Sequence, residues 1–502
     1  MTNNLDAKKK YLFEKAPVLR AIFSLAIPSV IGQLILVIYN MTDTFFIGQA
    51  SKMIDPALSS ELVAGVTICM PVYMILSAIS NLFGIGAASV ISRSLGKNNP
   101  WRAKNSSRFA FWNCLFTTVA YCLLVLAVSY PLSMFLSGNA PETAKFAREY
   151  IIWCVVIFGV PTALNTLFSH LIRAQGKSLH ASIGIAIGGL LNCALDPLFM
   201  FVIFPIEKAA IAAAIATGVA NTVALIYYLI LFIIQRKTLV ISLKFSPKAY
   251  SEGIPGEVIK IGTPACLMTL CENISYMILD NLVGTVIIAR GATEENLAAS
   301  AAALAGVGVA KKINMLAHSI VRGMTQGVLP LIGYNKSSGN RKRMAKVVYF
   351  SGGISLAVAS ICMVISLIFA TPLSHIFVHE EAAINRAAEF LRILCIGAPF
   401  SAIAYTVISF FQAVGKAWRS LILALLRKGI LDIPLMYIFY AIAIASGDTH
   451  GPELIIWATP IADIVCSITA IILFFLYLKK NGQNKIQPQP VEENNPLLRS
   501  NF

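Results

Sequence analysis

Long apolar segments recur from one end of the 502-residue chain to the other. Segments of 18 or more apolar residues are typical of spanning helices, because a helix satisfies its own backbone hydrogen bonds inside hydrocarbon. Only 13% of the residues are charged, and the mean hydropathy is +0.74. Twelve segments have the required length, at residues 19–47, 61–88, 109–130, 149–168, 181–204, 209–234, 258–283, 297–331, 347–370, 387–411, 420–444 and 454–478. The sequence predicts an all-α polytopic membrane protein with twelve transmembrane helices.

The basic residues are distributed unevenly between the two sides of these predicted helices. The net charge of +16 comes mostly from Lys and Arg in the N-terminal segment, the C-terminal tail and the loops after even-numbered spans. Cytoplasmic loops of membrane proteins carry such an excess, so both termini are predicted to be cytoplasmic. The charge therefore reflects topology, and we expect the lipid bilayer rather than nucleic acid as the surrounding partner. The loops after odd-numbered spans hold only Lys52, Lys145, Arg148, Lys208, Arg290 and Arg386.

The two halves of the chain form an internal sequence repeat. Pro28 aligns with Pro264, Gly48 with Gly284 and Gly86 with Gly327, and “RAQGK” at 173–177 answers “QAVGK” at 412–416. Six spans per half give both halves one orientation, so we expect two six-helix lobes related by pseudo-twofold symmetry along the membrane normal, as in secondary transporters. The predicted boundaries are a cytoplasmic segment 1–18, an N-lobe 19–234, a cytoplasmic linker 235–257, a C-lobe 258–478 and a disordered cytoplasmic tail 479–502.

Motifs for nucleotide binding and catalysis are incomplete. “LIRAQGKS” at 171–178 lacks the first glycine of a P-loop, and “GIGAAS” at 84–89 lies within a span, where small residues pack helices together. We find no nucleophile–base pair and no metal-ligand spacing. The sequence predicts a non-enzyme with no cofactor and no nucleotide partner, and a transporter of this kind must draw on an ion gradient.

Two carboxylates lie deep within spans of the N-lobe, where a charge is costly and usually serves a purpose. Asp43 shares a helix face with Tyr39, and Asn40 lies on nearly the same side. Asp196 follows Asn192 by one turn in “NCALDPLF”, and Thr217 of the sixth span supplies a further oxygen. These groups suit one proton or one Na⁺. The alternative is that Asp43 caps the outer end of its helix with its charge in water, and that Asp196 is structural.

Several segments together resemble the MATE family, the multidrug and toxic compound extrusion transporters, and its bacterial members in particular. They are “IPSVIGQLILVIYNMTDTFFIGQ” at 27–49, “GIGAASVISRSLGKNN” at 84–99, “RAQGK” with “NCALDPLF”, and “GMTQGVLPLIGYN” at 323–335. The resemblance covers residues 20–478. It implies twelve helices in two lobes that export organic cations in exchange for inward H⁺ or Na⁺, in the plasma (inner) membrane.

The resemblance also implies roles for single residues. Asp43, Asn192 and Asp196 match positions that carry cation coupling in many members, and Thr217 matches a threonine that joins that site in some. Tyr39 and Asn165 fall where similar proteins line the drug cavity, and we place Asn40 with them. Pro28 matches a proline about which the first helix is thought to bend. No other metal site is expected.

The C-lobe departs from the simple picture. Glu272 lies eight residues after Pro264, as in the NorM-like branch, where a glutamate there is linked to Na⁺ or substrate, but the tenth span lacks the accompanying aspartate. Glu272 is therefore assigned to the substrate cavity, with pairing to Lys311 or Lys312 as the alternative. The other charges predicted within C-lobe spans include Arg427, Lys428, Asp280, Asp432 and Asp463, with Lys428 and Asp432 one turn apart.

The prediction is a multidrug efflux transporter that exports organic cations in antiport with H⁺ or Na⁺ by alternating access. Two alternatives stay open. A flippase for a lipid-linked substrate is compatible with the basic residues Lys311, Lys312 and Arg427, which suit phosphate groups. A membrane sensor or scaffold would bind ligand without net flux.

Overall fold

The computed structural model describes residues 10–54, 56–289, 291, 293–378, 380–446 and 450–483. The first nine residues and those from 484 onward, which belong to the predicted N-terminal segment and tail, lie outside the described residues. Arg290, one of the basic residues in the odd-numbered loops, lies outside them as well.

Across the described residues the chain forms twelve long helices, the number that the hydropathy pattern predicted, and ten of them are long and apolar enough to cross a membrane. Their bounds are α1 Val18–Ser51, α2 Pro56–Ile68 continued by Met70–Gly96, α3 Pro100–Leu136, α4 Pro141–Ile157 continued by Gly159–Arg173, α5 Ser178–Ile203, α6 Ile206–Ile234, α7 Ile254–Ile288, α8 Glu294–Ser337, α9 Arg341–Ile368, α10 Glu381–Ile396 continued by Ala398–Ala413, α11 Ala417–Ser446 and α12 Gly451–Gln483. They are arranged as two six-helix lobes, α1–α6 and α7–α12.

Two helices bend at the same place in their lobes. α4 turns by 52° at “GVP” (159–161), and α10 turns by 44° at “GAP” (397–399). Proline removes a backbone donor and crowds the preceding turn, so a helix bends where one is inserted. The shared bend shows that the sequence repeat is also a structural repeat.

Most helices extend beyond their predicted apolar segments. α3 begins at Pro100, where the Asn99 side chain accepts a hydrogen bond from the Arg102 N–H at 2.9 Å, and α9 begins with the same cap, Asn340 accepting from the Arg343 N–H at 3.1 Å. Polar first turns carry little hydrophobicity, so hydropathy alone placed these starts too late. α12 continues to Gln483, past the predicted start of the tail.

The predicted linker runs beside α3 before α7 begins. The Trp112 side chain donates to the Leu243 carbonyl at 3.1 Å, and the Arg108 side chain donates to the Ser242 hydroxyl at 3.1 Å. Its last part is a short 3₁₀ turn, Pro247–Tyr250, before the helical start at Ile254. The linker is thereby held against the N-lobe.

The two lobes meet through backbone-to-backbone contacts made possible by glycine. A methyl group added at Gly262 of α7 would overlap the Leu82 carbonyl of α2, and one added at Gly86 would overlap the Val258 carbonyl of α7. The repeat-related contact joins α8 to α1, where a methyl on Gly327 would lie 2.7 Å from the Ala26 Cα. Small residues allow close helix packing in membranes.

Hydrogen bonds between the lobes cluster at the end of the molecule where the chain begins. Glu257 of α7 accepts from Arg93 at 2.6 Å and from Arg102 at 2.7 Å, so it ties the ends of α2 and α3 to the C-lobe. The Phe13 carbonyl, just before α1, accepts from the Asn335 side chain at 3.1 Å and from Arg343 at 2.8 Å. The lobes are locked together at this end, which we call the terminal end.

Replacing Gly262 by alanine should force α2 and α7 apart and destabilise the locked arrangement. Overpacking of this kind typically costs about 2 kcal/mol of unfolding free energy. The matched control is Gly256→Ala on the same helix, because Gly256 is exposed and has open space around its Cα. We expect a lower melting temperature for purified Gly262→Ala and an unchanged or slightly higher one for Gly256→Ala. Equal melting temperatures would contradict the close contact.

Candidate functional site

A cavity of about 410 Å³ lies between the lobes, beyond the locked terminal end. The N-lobe side of its wall includes Tyr39, Asn40, Asn165, Asn192 and Thr217, all singled out from the sequence. The C-lobe side includes the predicted residue Glu272, together with Arg322 and Tyr405. Methionine, leucine and isoleucine side chains separate these polar groups, so the cavity suits an amphipathic molecule.

Asn192, Asp196 and Thr217 form one hydrogen-bonded cluster behind the N-lobe wall. The Asn192 amide donates to the Asp196 carboxylate and to the Thr217 hydroxyl, each at 3.2 Å. Asp196 is completely buried, and among the described residues neither its second oxygen nor the Asn192 carbonyl oxygen has a hydrogen-bond partner. Buried oxygens without donors favour a proton or a small cation.

Asp43, on α1, lies beside this cluster. It is only 5% exposed, and its Oδ1 has no hydrogen-bond partner among the described residues. It is close enough to Asp196 for the two carboxylates to interact electrostatically, and Lys312 of the C-lobe also lies within electrostatic range. The burial of Asp43 is incompatible with the alternative that it caps a helix end with its charge in water.

The two aspartates are set back from the cavity rather than part of its surface. Asn192, which bonds Asp196, lines the open space together with Thr217, and Asn165 of the same wall donates to Asn221 at 2.8 Å. The structure thus brings the four residues predicted to couple the ion into one neighbourhood, and it places Tyr39, Asn40 and Asn165 on the adjoining wall. A molecule in the cavity would be one side chain, that of Asn192, away from the Asp196 carboxylate.

Glu272 is paired, but its partner differs from both lysines considered from the sequence. The Arg322 side chain donates to both carboxylate oxygens at 2.9 Å and to the Tyr405 hydroxyl at 2.9 Å, while Tyr405 donates to Glu272 at 3.2 Å. Arg322 lies on α8, three turns after Lys311 and Lys312, and reaches Glu272 because α7 and α8 pack side by side. The lysine alternative was therefore wrong.

Other charges in the C-lobe are also paired. Arg427 contacts Asp463 at 2.6 Å, and both side chains are 1% exposed. Lys428 contacts Asp432 at 2.8 Å, which confirms the pairing expected from their spacing. Lys311 forms an ion pair with Asp280. These three pairs neutralise charges within the C-lobe, as charges within membranes generally must be.

A belt of polar side chains crosses the floor of the cavity at the terminal end. Asn81 donates to Thr269 at 2.9 Å and contacts His170 at 3.1 Å, so α2 is joined to α7 and α4. Arg173 donates to Gln326 of α8 at 3.1 Å, although it is 2% exposed and belongs to none of the ion pairs among the described residues. The floor therefore carries an unbalanced positive charge.

Sequence reasoning missed Arg322, Tyr405 and Arg173. The signal for Arg322 was present, because an arginine 50 residues from Glu272 lies within a predicted span and needs an acidic partner. Arg173 follows the predicted end of α4 at residue 168, so it counted as a loop residue. Nothing in the sequence pattern indicated Tyr405, whose position becomes meaningful only when α10 packs beside α8.

Comparison with known proteins agrees with this geometry. The model of the MatE family matches residues 28–198 and 264–438, one stretch in each lobe. Among curated proteins, the chain is 26% identical to the multidrug export protein MepA of Staphylococcus aureus strain MRSA252 over 472 residues, which cover 93% of this chain and 95% of the relative. A Staphylococcus saprophyticus protein of the same name is 25% identical over 467 residues.

Solved structures share the fold. A MATE crystallised in complex with MaL6 superposes with a TM-score of 0.82 at 21% identity, covering 95% of this chain and 99% of that one. A multidrug resistance MATE family transporter of the MOP superfamily in an outward-facing conformation gives a TM-score of 0.79 at 21% identity, with the same coverage.

Arg322→Met should leave the Glu272 carboxylate without a cation. Glu272 is buried, but the Arg322 side chain is partly exposed to the cavity, so the loss of unfolding free energy should be smaller than the roughly 3 kcal/mol typical of fully buried pairs. Adding Glu272→Gln should recover most of the loss, because the unpaired charge disappears. Thermal unfolding of the purified single and double variants measures this, and a double variant no more stable than Arg322→Met would contradict the pairing.

Proposed function

Because the chain belongs to the MatE family, we propose that it is a secondary active multidrug efflux transporter that exports small organic cations in antiport with H⁺ or Na⁺. Relatives matched over nearly their whole length are named multidrug export proteins, which supports multidrug export as the activity. The amphipathic lining of the interlobe cavity is in keeping with organic substrates of varied shape.

The observation that carries the proposal is the incomplete hydrogen bonding of the Asn192–Asp196–Thr217 cluster beside that cavity. Two buried oxygens lack donors, and a second carboxylate, Asp43, lies within electrostatic range. Two neighbouring buried carboxylates favour binding of a positive charge, since close like charges are costly to keep ionised. One proton or one Na⁺ would complete the cluster.

Antiport follows if drug and ion exclude each other. Ionised carboxylates attract a cationic drug from one side chain away, whereas a bound ion neutralises them and weakens that attraction. Export requires that the two ligands bind with different affinity in the two lobe arrangements. With the termini in the cytoplasm, as the loop charges predict, the locked terminal end faces inward and the described state releases drug outward, across the plasma (inner) membrane.

Pro28 suits the hinge predicted for it. It lies within the continuous helix α1, where it removes one backbone hydrogen bond. Ala26 and Val30, on either side of it, pack against Gly327 and Gly323 of α8. A bend at Pro28 in response to ion binding would therefore alter the contact between the lobes directly.

The lipid flippase is the weaker proposal. Of the three basic residues that suggested phosphate binding, Arg427 is paired with Asp463 and Lys311 with Asp280. Neither is free to bind a lipid headgroup without first losing its carboxylate partner.

Asp43→Asn and Asp196→Asn should each abolish gradient-driven export, because an amide neither takes up a proton nor supplies the charge that holds Na⁺. The measurement is efflux of a fluorescent organic cation from liposomes under an imposed pH gradient and, separately, a Na⁺ gradient. The gradient that drives export in the unmodified protein identifies the ion.

The matched control is Glu142→Gln, the same carboxylate-to-amide change at an exposed position of the N-lobe. It should export normally, and every variant should fold, with a single cooperative thermal unfolding transition. Normal export by both aspartate variants would overturn the proposed coupling site. No flux under either gradient in the unmodified protein would turn attention to lipid-linked substrates.

A further inference from the structure

Helix α11 of the C-lobe carries a lysine and an aspartate where α5 of the N-lobe carries Asn192 and Asp196. Lys428 and Asp432 follow these two residues at an offset of 236, the same offset that relates Pro28 to Pro264. Both are almost completely buried, at 1% and 0% exposure. The two lobes thus place an i, i+4 pair ending in aspartate on corresponding helices.

The surroundings of Asp432 correspond to those of Asp196 helix by helix. Thr459 of α12 donates to one Asp432 oxygen at 2.9 Å, as Thr217 of α6 joins the N-lobe cluster. Ser275 of α7 donates to the other oxygen at 2.6 Å, and α7 is the counterpart of α1, which carries Asp43. In each lobe the cluster therefore lies where the first, fifth and sixth helices meet.

The two clusters differ in what neutralises the carboxylate. In the C-lobe, the Lys428 ammonium donates to Asp432 at 2.8 Å and lies 5.2 Å from the Tyr276 ring centroid. In the N-lobe, Asn192 holds the lysine's place, and both Asp196 Oδ2 and Asn192 Oδ1 lack partners among the described residues. The C-lobe cluster contains its own positive charge, whereas the N-lobe cluster has none within salt-bridge distance among the described residues, and Lys312 lies only within electrostatic range of Asp43.

We propose that the Lys428–Asp432 cluster is a second monovalent-cation site whose cation is part of the chain. The ammonium of Lys428 occupies the position that a mobile cation takes beside Asp196, so only the N-lobe exchanges an ion during transport. The inference rests on the proposed ion coupling at Asp196. Its physical basis is that a buried carboxylate needs a compensating charge, whether that charge is tethered or free.

The charges around Asp432 are consistent with a fixed cation. Arg427, next to Lys428, is paired with Asp463 of α12, so it leaves Asp432 to the lysine. Ser275 and Thr459 supply neutral donors. Removing the lysine side chain would therefore leave Asp432 with hydroxyl donors alone, and an external cation would be required.

The test is to remove the Lys428 ammonium in a protein whose N-lobe site can no longer bind a cation. Asp43→Asn with Asp196→Asn removes both carboxylates of that site, and Lys428→Asn then gives the C-lobe the same asparagine, aspartate and threonine that the N-lobe normally has. The measurement is the melting temperature of the purified protein in NaCl against choline chloride, repeated at lower pH so that Na⁺ and protons are told apart.

We expect the melting temperature of Asp43→Asn with Asp196→Asn to be independent of Na⁺ and of pH across this range, and the same background with Lys428→Asn added to have a melting temperature that rises with one of the two cations. Adding Asp432→Asn should abolish this dependence, since no carboxylate remains in the C-lobe cluster. A folded Lys428→Asn variant in that background whose melting temperature ignores both cations would overturn the inference, whereas an unmodified protein that ignores both would instead contradict the proposed coupling at Asp196.

The reciprocal variant keeps the inference testable if Lys428→Asn does not fold. Asn192→Lys should place an ammonium beside Asp196, as Lys428 lies beside Asp432, and give a folded protein whose melting temperature no longer depends on Na⁺ or pH. Failure of Asn192→Lys to fold, or retention of the cation dependence of the unmodified protein, would count against a tethered cation.

Discussion

A carboxylate inside a membrane protein must find a positive charge or be protonated, and the two lobes meet this requirement in different ways. The C-lobe pairs Glu272 with Arg322, Asp463 with Arg427 and Asp432 with Lys428. The N-lobe leaves Asp43 and Asp196 without an ion-pair partner within salt-bridge distance among the described residues. The fold is nearly symmetric, but its electrostatics are not, and transport by exchange of an ion needs such an unsatisfied site.

The close contact between the lobes depends on the absence of side chains. Gly86 and Gly262 bring α2 and α7 into backbone contact, and Gly327 does the same for α8 and α1. Packing of this kind contributes little hydrophobic free energy in lipid, so the contact is stabilised by fit and by the polar groups around it. An interface stabilised by shape complementarity can open without rearrangement inside either lobe, which is compatible with lobes that move as rigid bodies.

Much of the architecture was predictable, because hydropathy and the repeat depend on local composition. Twelve spans, two lobes and the clustering of Asn192 with Asp196 followed from spacing along single helices. The partner of Glu272 could not be predicted, because the contact between α7 and α8 is set by packing. Lys311, Lys312 and Arg322 all lie on one predicted span, and the sequence pattern does not distinguish them as partners. Arg173 was missed for a related reason: its burial results from the junction of both lobes, which no single helix reveals.

The proposed link between ion binding and lobe movement would have a mechanical basis in α1. Asp43 lies 15 residues after Pro28, a distance of about 22 Å along a helix that rises 1.5 Å per residue. The segment around Pro28 is fixed to α8 by Gly327 and Gly323, while the segment bearing Asp43 packs within the N-lobe. In the proposed mechanism, neutralising Asp43 would change what its segment packs against, and a helix weakened at Pro28 would transmit that change as a bend at the interlobe contact. A rigid helix without the proline would have to move as a whole, against every contact it makes.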